Sequence, residues 1–175
     1  MKVLISFAST EGQTRKIAER IAVHARELGH EASIYDTATL LNVPSIDAFD
    51  AVIVAASVHE KRHQDSTTNF TIAHRDQLHL MPSAFISVSL SAATEDGQAE
   101  ARGYVDRFIT NTRWLHPKIL MLGGALRLSE TDYFQQQVLK DVLMKRGDTL
   151  AVDIDYEFTD WEALEIFIKD FLARS

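Results

Sequence analysis

Val3-Leu4-Ile5-Ser6-Phe7-Ala8-Ser9-Thr10-Glu11-Gly12-Gln13-Thr14 passes from a nearly unbroken apolar run into a hydroxyl-rich loop with one glycine. An apolar run without alternation reads as a central strand of a parallel sheet, covered on both faces. Met1 to Ala8 is accordingly read as a buried strand and not as a signal peptide. Gly12 to Leu28 then repeats apolar residues on one helical face (Ile17, Ala18, Ile21, Ala22, Ala25, Leu28), with Gly29 at the C-cap position. Between strand and helix, Ser9, Thr10, Glu11, Gly12, Gln13 and Thr14 offer three hydroxyls, a glycine and unpaired helical N–H groups. Those groups and the helix dipole favour an anion such as a phosphate. Neither Gly-x-Gly-x-x-Gly nor a phosphate-binding loop with its lysine is present, so the loop suits a monophosphate ester held without metal. On spacing alone, a plain N-cap with Ser/Thr satisfying the first N–H groups competes with this reading.

Further along, strands and helices alternate. Strands are expected at Glu31–Tyr35, Ala51–Val58, Ala84–Leu90 and Lys118–Leu122, and helices at Asn69–Leu80, Glu100–Thr112 and Trp161–Leu172. Thr159-Asp160-Trp161-Glu162 reads as a capping box for the last helix. This order implies an α/β fold with a doubly wound, five-stranded parallel sheet in order 2-1-3-4-5. Ligands bind outside the carboxyl ends of such strands, so the loops after strands one, three, four and five matter most. One insertion, about 126–158, departs from the minimal plan. Ser129 to Arg146 reads as an extra helix after strand five, and Val152 to Phe158 alternates like a strand.

Composition bounds the rest. The 175 residues make one domain, 1–175, large enough to fold without staples. Eighteen Lys+Arg against 25 Asp+Glu give a net charge of −7, which argues against generic nucleic-acid binding. The absence of cysteine excludes disulfides, thiolate nucleophiles and cysteine-ligated metal centres, and fits a cytoplasmic protein. No apolar run reaches the ~18 residues of a membrane span. The insertion helix balances Glu130, Asp132 and Asp141 against Lys140, Lys145 and Arg146. It is a candidate for peripheral contact at the inner face of a membrane, for packing on the domain, or for contact with another copy of the chain.

His59-Glu60-Lys61-Arg62-His63 matches the His-Glu-x-x-His pattern of zinc proteases, which needs both histidines on one helical face. Here the pattern follows directly on a buried strand, and no third ligand has the usual spacing. No metal is expected. His59 and His63 are instead candidates in the loop after strand three, where an imidazole can hydrogen-bond or move protons near neutral pH. The alternative for each is a solvent-facing loop residue. Trp114 and Trp161 read as structural residues on the side away from the strand carboxyl ends.

Several segments together carry a family resemblance. They are Glu11 to Arg15, Ala56-Ser57-Val58-His59 with His63-Gln64, Met81 to Phe85 leading into Ser87-Val88-Ser89-Leu90, Trp114 before Pro117, Gly124-Ala125-Leu126-Arg127, and Thr159-Asp160-Trp161. In this order and spacing the chain resembles the flavodoxin-like, menaquinone-dependent protoporphyrinogen oxidases. The resemblance implies a flavodoxin-like three-layer sandwich that binds FMN. Ser9 to Thr14 would hold the phosphate, and Ala56 to His59, Val88, Ser89, Leu90, Ser91, Gly124 and Ala125 would surround the ring. It further implies oxidation of a porphyrinogen with a quinone as acceptor. Arg127 and Arg62 are candidates for substrate carboxylates, with Lys61 and Arg102 behind them. Residues 55–65 and 89–100 contain no Trp, Tyr or Phe to clamp a flavin ring, which fits an enzyme with one ring face open to substrate. An electron carrier without its own substrate, and a flavin-free binding domain, are the alternatives.

Overall fold

The computed structural model describes residues 1–39, 42–126, 139–140, 142–145 and 155–173. Five parallel strands form the sheet: β1 (Lys2–Ala8), β2 (Glu31–Asp36), β3 (Ala51–His59), β5 (Ser83–Ser89) and β6 (Lys118–Gly123). Their order, β2-β1-β3-β5-β6, is the 2-1-3-4-5 order expected for the parallel strands. A two-residue strand, β4 (Arg62–His63), folds back on β3 as a hairpin, with Val58 opposite His63 and His59 opposite Arg62.

Side-chain alternation sends β1 both ways. Val3, Ile5 and Phe7 meet α1 (Gln13–Glu27) and the last helix, α5 (Trp161–Ala173), in one core. Leu4 joins Val52, Val54, Phe85, Phe108 and Trp114 in a second core, under α4 (Gln98–Thr112). This is the three-layer α/β sandwich, and both faces of the sheet are apolar for that reason. Gly29 ends α1 with φ +85, a conformation that favours glycine.

Three expectations need correction. The single helix at Asn69–Leu80 is two helices, α2 (Asp65–Ala73) and α3 (Arg75–Leu80), separated at His74. The capping box is not formed as read. Asp160 Oδ1 accepts the Ala163 N–H at 2.9 Å, while the Thr159 hydroxyl donates to the Gly123 carbonyl and accepts from Gln13 Nε2, each at 2.8 Å. Trp161 therefore stands beside the loop after β1, its indole donating to Glu157 and lying against Lys16, and not on the far side of the sheet. Trp114 is fully buried, and its indole donates to Ser83 Oγ at 3.2 Å.

Part of the insertion lies within the described residues. Ala125–Leu126 (β7) pairs antiparallel with Tyr156–Glu157 (β8), and Leu126, Leu139 and Leu143 form a small core that also touches Leu90. Residues 139–140 and 142–145 are helical. The remainder of the helix read at Ser129–Arg146, and the start of the strand read at Val152–Phe158, lie outside the described residues.

Candidate functional site

A cavity of about 480 Å³ opens at the carboxyl ends of β1, β3, β5 and β6. That size is ordinary for a small-molecule site. Ser9, Thr10, Glu11, Gln13 and Thr14 line one end, Ser57, Val58 and His59 follow from β3, and Val88 to Ser91 come from β5 and its loop. Gly124 and Ala125 complete the wall. Gly12 and Ala56 are not on the lining: Gly12 turns the loop with φ +89, and Ala56 is buried in the sheet.

The loop after β1 explains its own hydroxyls. Gly12 donates its N–H to Ser9 Oγ at 2.9 Å, and its carbonyl accepts the first α1 bond, from Lys16. No side chain caps α1, so the plain N-cap reading fails. The N–H groups of Gln13, Thr14 and Arg15 precede the first helical bond and have no partner within the helix. Thr10 Oγ1 accepts from Gln64 Nε2, which also reaches Ser57 Oγ. Thr14 is fully buried, and its hydroxyl has no partner among the described residues. A buried hydroxyl without a partner is costly unless a ligand satisfies it. The nearest cations are already engaged: Arg15 pairs with Asp36 and Lys16 with Glu157. The end of the cavity is thus a cradle of hydroxyls and backbone N–H groups.

At the opposite end the sequence singled out Ser91 and Lys61 but not Glu60, Glu100, Tyr104 or Leu126. Glu60 and Lys61 form the tip of the β3–β4 hairpin, and Glu100 and Tyr104 reach in from α4, with Leu126 beside them. Ser91 Oγ donates to Glu100 Oε2 at 2.7 Å. The Ser91 hydroxyl first, then the Tyr104 phenol, and the charges of Lys61 and Lys145 hold the Glu100 carboxyl below its usual range. Burial, then the bond to Glu100, pushes the Tyr104 phenol up. Tyr104 supplies the phenol ring that the loops themselves lack. A helical i, i+4 spacing of Glu100 and Tyr104 was the only signal in the sequence.

The two candidate histidines part company. His59 is exposed and lines the cavity. His63 does not: it sits inside, edge-on to Phe85 and Phe108, with Nε2 and Ser87 Oγ 2.9 Å apart. Burial lowers its pKa to about 4, so the ring is neutral at pH 7. The His-Glu-x-x-His segment is therefore a β-hairpin that turns its histidines to different surroundings, not a helix face. Arg62 lies outside the cavity and pairs with Asp65 at 3.7 Å, and Arg102 pairs with Asp106 at 3.0 Å. Arg127 lies outside the described residues. Among the described residues, no helix is long and apolar enough to cross a membrane.

Comparison with known proteins gives this geometry its family. Protoporphyrinogen IX dehydrogenase (quinone) of Escherichia coli strain K12 is 28% identical over 171 residues, covering 97% of this chain and 94% of that protein. Its namesake from Leishmania major is 26% identical over 176 residues, covering 98% of this chain and 75% of that protein. Among solved structures, oxidised Flavodoxin 2 from Bacillus cereus superposes with a TM-score of 0.57 at 18% identity, over the whole of both chains. A flavodoxin of Streptococcus pneumonia TIGR4 gives 0.56 at 19%, again over the whole of both chains. A family model described as a flavodoxin domain matches residues 4–150, and on that match the chain belongs to the flavodoxin domain family.

Proposed function

We propose that the chain is an FMN-dependent oxidoreductase that dehydrogenates protoporphyrinogen IX and passes the electrons to a quinone. The observation that carries the reading is the cradle after β1, with hydroxyls free of any capping role beside a helix N-terminus. The phosphate of FMN suits it: the anion meets N–H donors and the buried Thr14 hydroxyl, and needs no lysine. The two relatives named for this dehydrogenation, aligned over nearly the whole chain, support the substrate class.

When bound, FMN supplies the redox chemistry, accepting hydrogen from an organic donor and releasing electrons to an acceptor. The chain's own residues bind and orient. Ser9, Thr10 and Thr14 hold the phosphate with the N–H groups of α1. The strand ends at Ser57–His59 and Val88–Ser91 wall the ring, and the small Gly124 and Ala125 leave it room. Apart from Tyr104, no Trp, Tyr or Phe is among the described lining residues, which leaves room for an organic donor beside the ring. That openness favours an enzyme over an electron carrier. His59, exposed at the rim, borders the same opening.

The test is anaerobic turnover. The FMN-loaded chain, given protoporphyrinogen IX and a menaquinone analogue, is expected to form fluorescent porphyrin in step with quinone loss. A flavin-loaded chain that leaves porphyrinogen unchanged above the uncatalysed rate contradicts the substrate assignment.

A further inference from the structure

A second cleft, of about 250 Å³, lies between the β3–β4 hairpin and α4. It shares Glu60, Lys61 and Tyr104 with the main cavity, so the two are continuous along one wall. Its cations are Lys61, Arg62 and Arg107, and its carboxylates are Glu60 and Asp65. Arg62 and Asp65 take each other. Lys61 and Arg107 make no ion pair among the described residues. Within this cleft two cations thus face one carboxylate without an ion pair among the described residues, Glu60, while Glu100 acts on Lys61 from the main cavity. The remaining wall includes Phe108 and the neutral, buried His63, which suits the carbon part of an anionic arm.

The hairpin tip is tied to α4. Glu60 and Lys61 both have left-handed backbones, φ +48 and +64, which non-glycine residues adopt at a cost. Arg107 Nη1 donates to the Lys61 carbonyl at 2.8 Å and clamps that turn to α4. The clamp uses one of five guanidinium N–H donors, and the planar fork that remains matches a carboxylate.

We propose that this cleft is a carboxylate subsite, in which Lys61 and Arg107 hold an anionic arm of a substrate whose body lies in the main cavity. The inference rests on the oxidoreductase reading for the identity of that substrate, since a porphyrinogen carries carboxylate arms on a largely apolar macrocycle.

Binding tests it apart from turnover. The FMN-loaded chain is titrated with protoporphyrin IX and with its dimethyl ester, both in the same detergent micelles. The acid is expected to bind about tenfold more tightly than the ester, as a charged hydrogen bond implies. Lys61→Met, which keeps the carbonyl that Arg107 clamps, is expected to remove most of that preference, as is Arg107→Ala. Arg102→Ala, outside both cavities, keeps it. Equal binding of acid and ester by the wild-type chain, or a preference unchanged in both Lys61→Met and Arg107→Ala, overturns the subsite. Turnover of porphyrinogen with that result leaves the oxidoreductase reading standing. Carboxylate-dependent binding without turnover leaves the subsite standing and the reading overturned.

Discussion

Thr14 and His63 are both buried polar side chains, and they differ in what satisfies them. His63 has Ser87 and two aromatic rings; the Thr14 hydroxyl has no partner among the described residues. Thr14→Val keeps the shape and removes the hydroxyl. FMN affinity is expected to fall about tenfold, by the worth of a hydrogen bond to a charged group, while riboflavin affinity and the stability of the flavin-free chain hold. Fluorescence titration and urea unfolding read the two. For His63 the folded pKa, about 4, lies below the ordinary 6.5. Its stabilising contribution is therefore complete above pH 6.5 and declines as the pH falls towards 4, because the unfolded chain takes up the proton first. Between pH 7 and 5 the loss is about 2 kcal/mol. His63→Phe is expected to flatten that segment of the pH–stability curve. The sequence shows a histidine near a loop glutamate in both the zinc and the flavin readings. Only the hairpin register, Val58 opposite His63, turns that ring inwards.

Elements were legible where their faces are apolar and their ends are marked. The alternation of β1, α1, β2 and β3 was readable because a doubly covered strand and an amphipathic helix have different periods. The break at His74 was not, because α2 carries only a weak apolar stripe, and its Thr67 and Thr71 hydroxyls spend themselves on backbone carbonyls and Thr37. The β4 strand was missed for a similar reason: two residues carry no period. The join between β6 and β7 is a stringent element. A Cβ on Gly123 would collide with the Phe158 carbonyl, and the Gly123 carbonyl takes the Thr159 hydroxyl that also ties Gln13 after β1. Gly123→Ala is expected to cost about 1–3 kcal/mol in urea unfolding and to weaken FMN binding through Thr159 and Gln13. Unchanged FMN affinity in a folded Gly123→Ala chain contradicts that linkage.

Across the chain, two cores flank one sheet, and the site opens where four strand ends meet. Trp114 lies far from that opening, fully buried against Phe85, so Trp114→Ala is expected to cost about 3–5 kcal/mol without altering ligand affinity in the chain that remains folded. The end of the cavity at Ser9 to Thr14 was readable because one contiguous loop makes it. Glu100 and Tyr104 at the other end were not, because separate elements contribute one or two residues each there, and Lys145 acts on Glu100 from the insertion. Arg62 and Arg102 stood out as free cations in the sequence, yet each finds a carboxylate three or four residues on in its own segment. Which cations remain for a ligand is a property of the folded whole.

The claim on which everything else depends is that the cradle after β1 holds the phosphate of a flavin. Titration of the purified chain with FMN, followed by quenching of flavin fluorescence, tests it most directly, with riboflavin as the phosphate-free control. Saturable binding of FMN, with riboflavin at least tenfold weaker, is the predicted result. Equal affinity for the two flavins, or no binding of FMN at high micromolar concentration, would contradict the claim and leave only the fold.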